Sequence, residues 1–285
     1  FCRMNKKIKF LESIAGFDNS LAFHMLEIGA HPYEDTKEPF HQLIDFFPNS
    51  RVVAFELDKD ECEKLNQKSP KGIKFFPYAL GEKNEKKKLY ITNHPMCTSL
   101  YKPNENFMKL FNNLQFAYLK NIQDVETVSL DFFLKKENIN FVDFIKIDIQ
   151  GAELDVFKGG VESLRNILTI ITEVEFVQLY KDQPLFGDMS SFLSEFQIMF
   201  HKFLSLQGRT LKPTVLNNDL NHSSQHMWSD AMYIRDVEKI PSLNNHQILK
   251  LSILAYLYGS PDLTFHCLRI YDKKNNTQLI NLLKN

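Results

Sequence analysis

Phe144-Ile-Lys-Ile-Asp148-Ile-Gln-Gly151-Ala-Glu153 decides how this chain is read. An apolar run ends in a carboxylate, turns through Gln150-Gly151 and enters a helical pattern. In an open α/β sheet that places Asp148 at the carboxyl end of a strand, the edge where such sheets take their ligands. Asp is also a favoured helix N-cap, so capping and a ligand or catalytic role both stand for Asp148. Two earlier runs have the same shape: Phe23-His-Met-Leu-Glu27-Ile-Gly29-Ala30 stops at a glycine, and Val52-Val-Ala-Phe-Glu56 stops at an acid. A glycine lets backbone approach a ligand closely, and an acid at the tip of a second strand accepts ribose hydroxyl protons. Together the three tips point to a nucleoside-bearing cofactor.

Strands and helices alternate outward from these tips. A short helix and approach over 5–21 precedes strand 1 (23–28), a helix carries Phe40, Leu43, Ile44 and Phe47, and strand 2 covers 51–56. An exposed helix follows from Asp58 to Asn66, then a third strand at Phe75-Phe-Pro-Tyr-Ala79. The rhythm breaks between 81 and 128, where two strands flank a Phe/Leu-rich helix over about 104–120; this reads as an insertion covering the ligand edge. A helix from Ser129, strand 4 (142–148), a helix over about 151–165 and strand 5 (169–175) restore it. Residues 188–201 read as helix, 203–206 as a short strand, 227–234 as the last strand, and 245–285 as helices broken at Gly259-Ser-Pro261. The fold expected is α/β, a doubly wound, mainly parallel sheet. Its domain would span 1–240, with 241–285 as a helical C-terminal extension that caps it or joins two copies in a homo-oligomer.

Composition narrows the partners. With a net charge of −1 over 285 residues there is no basic surface for nucleic acid or anionic lipid. Lys86-Lys87-Lys88 sits among acids and reads as a solvated turn. The four cysteines have neither zinc-ligand nor disulfide-framework spacing and suit a reducing, cytoplasmic setting. No apolar run reaches the roughly 18–20 residues of a membrane span. The chain opens Phe1-Cys-Arg-Met4, which points to a fragment or to a start at Met4.

Glu27-Ile-Gly29-Ala30, Phe55-Glu56, Thr98-Ser99-Leu100, Leu130-Asp131, Lys146-Ile-Asp148-Ile-Gln150-Gly151-Ala-Glu153 and Thr172-Glu173 occur in the order found in FkbM-family methyltransferases, and the chain resembles that family over about 25–270. Glu173 to Phe186, Met227 to Arg235 and Leu257-Tyr-Gly-Ser260 resemble a bacterial branch of it. The resemblance implies a Rossmann-like class I methyltransferase fold, S-adenosyl-L-methionine (SAM) as cofactor and O-methylation of a sugar, glycoconjugate or secondary-metabolite hydroxyl. It implies that Glu27, Gly29 and Ala30 line the methionine and ribose side of SAM, that Glu56 holds the ribose hydroxyls, and that Ala79 borders the adenine. Ser99 lies in a loop expected to close over cofactor or acceptor. The chain departs from its relatives where Glu27 replaces an Asp and His31-Pro32 follows Ala30.

Methyl transfer from a sulfonium requires alignment and exclusion of water, and a hydroxyl nucleophile benefits from a base. Asp148 is the first candidate for that base and Glu173 the second. No cluster demands a metal, although Asp148 with Glu173 offers oxygens to Mg²⁺. An NAD-dependent oxidoreductase would share the sheet but would need G-x-G-x-x-G after strand 1, which is missing. A non-catalytic SAM-fold binding or assembly protein is the other alternative.

Overall fold

A computed structural model of the chain describes residues 2–29 and 38–283, the side chains of 2–5 excepted. In chain order the elements are α1 Cys2–Phe17, β1 His24–Ile28, α2 Gln42–Phe46, β2 Arg51–Phe55, α3 Lys59–Lys68, β3 Ile73–Phe76, β4 Ala79–Gly81, β5 Glu85–Thr92, α4 Glu105–Met108, β6 Leu119–Ser129 and α5 Leu130–Lys136. They continue as β7 Phe144–Ile147, α6 Glu153–Lys158, α7 Val161–Leu164, β8 Thr169–Glu175, α8 Phe186–Ser194, β9 Ile198–Phe203, β10 Gln207–Arg209, β11 Gln225–Arg235, α9 Asn245–Leu257 and α10 Pro261–Asn275.

The main sheet runs β10-β11-β8-β7-β1-β2-β3, with β9 also paired to β11. β3, β2, β1, β7 and β8 are parallel, and β11 returns antiparallel to β8. Strand order reverses between β1 and β7, so their carboxyl ends flank the crevice in which doubly wound sheets bind ligands. The central strands are buried on both faces and therefore near-continuously apolar. Met25, Phe144, Ile171 and Met232 pack with Leu11, Phe40, Leu43, Ile248 and Leu251 on one side. Leu26, Ile145, Ile147 and Ile170 pack with Leu130, Phe133, Val156, Phe157 and Leu193 on the other. α9 belongs to the first of these cores and is buried along almost its whole length. A buried ion pair joins it to the sheet: Lys250 Nζ lies 2.8 and 3.0 Å from the Asp143 oxygens.

β4, β6 and β5 form a second, three-stranded sheet. It is fastened to α6 by Lys87 Nζ to Asp155 Oδ2 (3.0 Å) and the Tyr101 hydroxyl to Asp155 Oδ1 (3.1 Å). Main chain also approaches main chain there, leaving no room for a side chain: a Cβ on Gly159 would sit 2.4 Å from the Gly81 carbonyl oxygen.

Six expected elements come out differently. The short strand expected over 203–206 is the end of β9 and a bend before β10, and Lys86-Lys87-Lys88, expected as a solvated turn, lies in β5 paired to β6. Ala79 opens β4 of the second sheet instead of closing the third strand. The helix expected over 104–120 shrinks to α4 and one 3-10 turn at Gln115–Ala117. Asn113 takes φ 48° and Asn112 donates to Thr210 Oγ1 and the Thr214 carbonyl, so backbone there is bent to reach another segment. The helix expected over 151–165 breaks at Gly159-Gly160 into α6 and α7, because Asp131 accepts the N–H groups of Glu162 and Ser163 and caps a fresh helix start. Residues 188–201 split at Gln197 (φ 59°) into α8 and strand β9. No helix among the described residues is long and apolar enough to cross a membrane.

Candidate active site

The chain leaves β7 at Ile147 and crosses 148–152 before α6 begins. Two consecutive left-handed residues, Gln150 (φ 59°) and Gly151 (φ 97°), make that turn. Asp148 does not cap α6, whose N-cap position is Ala152. Glu153 satisfies the turn instead, its carboxylate accepting the N–H of Ile149 (2.7 Å) and Gly151 (2.9 Å). The Asp148 N–H donates to the Ile28 carbonyl at 3.0 Å, which holds the tips of β7 and β1 together. Gly29 (φ 81°) sits against them, and a Cβ there would lie 1.9 Å from the Asp148 carbonyl oxygen.

Gln150 organises the side chains. Its amide nitrogen donates to Asp148 Oδ1 and to Glu173 Oε2, both at 2.8 Å. The Tyr180 hydroxyl lies 2.8 Å from the Cys97 carbonyl and 3.2 Å from Gln150 Oε1. Ser99 Oγ donates to the Gln150 carbonyl (2.7 Å) and accepts the Tyr101 N–H, so its hydroxyl ties the insertion to the turn. Lys146 Nζ stands 3.6 Å from Asp148 and 3.7 Å from Asp230.

This is an acid-rich edge with shifted protonation. Burial first, and then the charges of Asp148 and Glu175, push the Glu173 carboxyl well above the usual carboxylate range. Glu175 is raised by burial and by Glu153, and Glu153 by burial to about 7. Burial works against the charge on Lys146, but Asp148, Asp230, Glu38 and Glu173 outweigh it and hold the ammonium above its ordinary value. Asp148, Glu153 and Glu173 each present an oxygen within 4.8 Å of the others. Backbone N–H groups take both oxygens of Glu153, and the Gln150 amide takes one oxygen each of Asp148 and Glu173.

Two cavities meet at this edge. The first is a slot with apolar walls (Ile28, Phe55, Leu57, Leu80, Leu89 and Leu100) and with Gly29, Glu56, Ala79, Ser99 and Asp148 around it. Glu56 Oε1 accepts the Asp58 N–H at 2.9 Å, which fixes the acid at the tip of β2. These residues fit SAM: an apolar slot for the adenine, an acid at the ribose position, and a side-chain-free Gly29 where the cofactor would meet backbone. The second, of about 410 Å³, lies toward β8 and is lined by Met96, Cys97, Met108, Leu114, Phe116, Ala117, Leu179, Tyr180 and Trp228 above Asp148, Gln150, Glu173 and Glu175.

Of the residues singled out in the sequence, Gly29, Glu56, Ala79, Ser99 and Asp148 therefore line the slot and Glu173 the second cavity. Glu27 does not line the slot; its carboxylate pairs with His41 Nε2 at 2.9 Å. Ala30 lies outside the described residues. The sequence reading missed Gln150, Tyr180 and Glu175. The signal for Gln150 was its place beside Gly151 directly after a strand tip, a turn that needs positive φ.

Among solved structures, a LepI variant in complex with SAH and a substrate analogue and the LepI complex with SAM are 10% identical to this chain. Their TM-scores are 0.31 and 0.30, and the matches cover 79% of this chain but 46%, less than half, of theirs. The 2-O-methyltransferase NoeI of Sinorhizobium fredii is 25% identical over 192 residues, 66% of this chain and 77% of NoeI. The model of the methyltransferase FkbM domain matches residues 27–198. That match takes in the slot, the turn at Asp148 and Glu173 across well over half of the chain, which belongs to the FkbM methyltransferase family and is a SAM-dependent methyltransferase.

Proposed function

We propose that the chain methylates a hydroxyl oxygen of a sugar, glycoconjugate or secondary metabolite. One observation carries the reading: Asp148 and Gln150 line both cavities, so a donor in the slot and an acceptor in the second cavity would meet over a carboxylate. The name of NoeI, a 2-O-methyltransferase, supports oxygen as the nucleophile. SAM, when bound, supplies a methyl group already activated by its sulfonium. The protein aligns the acceptor oxygen with it, excludes water with the apolar walls and takes the hydroxyl proton.

Asp148 and Glu173, bridged by Gln150, are the pair for that proton. Glu173, raised by burial and by the Asp148 charge, is a stronger base than an ordinary carboxylate once it has lost its own proton. Glu56 holds the ribose, Gly29 and Ala79 border the cofactor by backbone, and Ser99 positions the roof of the slot. Calorimetric titration of SAM and S-adenosylhomocysteine, with NADH as control, tests the donor side. Micromolar SAM binding that Glu56→Ala weakens at least about tenfold is expected, from loss of charge-assisted hydrogen bonds. Methyl transfer from labelled SAM to a panel of hydroxyl, amine and thiol acceptors tests the rest, and transfer confined to amines or thiols would sink the O-methylation reading.

A further inference from the structure

We propose that the acceptor is amphipathic: its reacting hydroxyl sits on an apolar body, and that body fills the cavity beside β8. The inference rests on the reading of Asp148 as the meeting point of donor and acceptor. It adds what the acceptor must be made of.

The cavity is chemically two-sided. Its floor is polar, with Asp148, Glu173, Glu175 and Gln150 side by side. Its walls are Met108, Leu114, Phe116, Ala117, Leu179 and the indole of Trp228. Two of the polar groups in those walls are engaged elsewhere. The Tyr180 hydroxyl is held by the Cys97 carbonyl and Gln150, and His94 Nδ1 faces the Met96 N–H at 3.4 Å. Arg209 lies 5.0 Å from the Trp228 ring and covers it from beside the cavity without lining it.

A hydroxyl lowered to the floor finds carboxyl oxygens to accept its proton. Further hydroxyls held against the aliphatic and aromatic walls would lose their water and find few partners, which is unfavourable for each one. Apolar carbons in the same place gain by leaving water. The Asp148 carboxylate at the floor also disfavours a phosphate or carboxylate near the reacting oxygen. The matching acceptor is thus an uncharged alcohol with one polar end and an apolar remainder, such as a sugar with an alkyl or aryl aglycone.

The chain holds a single tryptophan, so Trp228 emission reports on this cavity alone. The full chain, saturated with S-adenosylhomocysteine, would be titrated with octyl β-D-glucopyranoside below its micelle concentration and with methyl β-D-glucopyranoside. The two probes carry the same sugar and differ in the apolar part. We expect a saturable blue shift with the octyl glucoside and binding at least about tenfold weaker for the methyl glucoside, from the apolar area that only the former buries. Leu114→Asp should abolish the shift, and so should the milder Ala117→Leu, which fills the cavity by volume. In both, calorimetric affinity for S-adenosylhomocysteine should stay within about threefold of the parent, the spread of an undisturbed distant site. If Leu114→Asp no longer binds S-adenosylhomocysteine, Ala117→Leu alone decides. Equal affinity for the two glucosides, no saturable response to the octyl glucoside, or an octyl response that survives Ala117→Leu would overturn the proposal. Failure of the parent chain to bind S-adenosylhomocysteine would instead overturn the reading of the donor slot.

Discussion

Gly29→Ala tests the geometry of the strand tips directly. The backbone at Gly29 has φ 81°, a conformation that costs an L-residue roughly 1–2 kcal/mol. The new Cβ would lie 1.9 Å from the Asp148 carbonyl oxygen, whereas ordinary contact begins at 3.4 Å, so the two tips must part by about 1.5 Å. The bond from the Asp148 N–H to the Ile28 carbonyl, 3.0 Å in the parent, does not survive that displacement. Its loss adds about 0.5–1.5 kcal/mol. The variant should therefore unfold at lower urea concentration, with roughly 1.5–3.5 kcal/mol less stability. Its SAM affinity by calorimetry should fall at least about tenfold, because Asp148 moves with its backbone. Gly187→Ala is the matched control: it lies in α8 with nothing within 4 Å of the added carbon, and should be neutral or stabilising by up to about 1 kcal/mol. A Gly29→Ala protein as stable as the control, with unchanged SAM affinity, would refute the close packing of the two tips as the basis of the slot.

Gln150→Leu removes the amide shared by Asp148 and Glu173. We expect kcat to drop at least about tenfold, and by more than SAM affinity falls, since the amide orients the two acids; an unchanged kcat would remove Gln150 from the machinery. The rate should rise with pH on a limb above the ordinary carboxylate range, because Glu173 accepts a proton only after losing its own, and Glu173→Gln should erase that limb. Stability should run the other way. The folded-state pKa of Glu153 is raised to about 7, above its unfolded value, so its contribution is present at acid pH and lost as pH climbs toward 7. The share of the unfolding free energy owed to Glu153 should fall by roughly 2 kcal/mol between about pH 5 and pH 7.5, and Glu153→Gln should lessen the slope by that much; an equal slope in that variant would contradict the assignment. Lys250→Met leaves Asp143 buried without its cation and should destabilise by about 3–5 kcal/mol, with much of that restored by adding Asp143→Asn. Single variants within about 1 kcal/mol of the parent in urea unfolding would show the pair to be dispensable.

The sheet was legible because its central strands carry their own punctuation. Phe144 to Asp148, Val52 to Glu56 and Met25 to Gly29 are apolar runs ended by an acid or a glycine, and nothing distant is needed to read them. What failed depends on distant partners. Asn112 and Asn113 look like residues in a Phe/Leu-rich helix until Thr210 and Thr214 arrive from about a hundred positions away. The helix break at Gly159-Gly160 is set by Asp131 reaching the α7 N–H groups, a contact that periodicity cannot announce. Within the site, Asp148, Glu56 and Gly29 stood at strand ends and could be named from position. Gln150 looked like the opening of a helix, since its role needs a positive φ and a second acid from β8. Glu27 illustrates the reverse: it too stands near a strand end, yet its carboxylate pairs with His41 and does not line the slot.

The contact between Gly159 and Gly81 bears on how such a site can be altered. Main chain rests on main chain there, beside the Lys87 and Tyr101 contacts to Asp155, so the seat of the second sheet on α6 is set by residues other than those that line the chamber. Met108, Leu114 and Ala117 stand well along the insertion from that seat. Exchanging them reshapes the chamber while leaving the seat in register. This division of labour makes the roof a replaceable part, and libraries confined to those three positions should yield folded variants with altered acceptor range far more often than changes at 81 or 159.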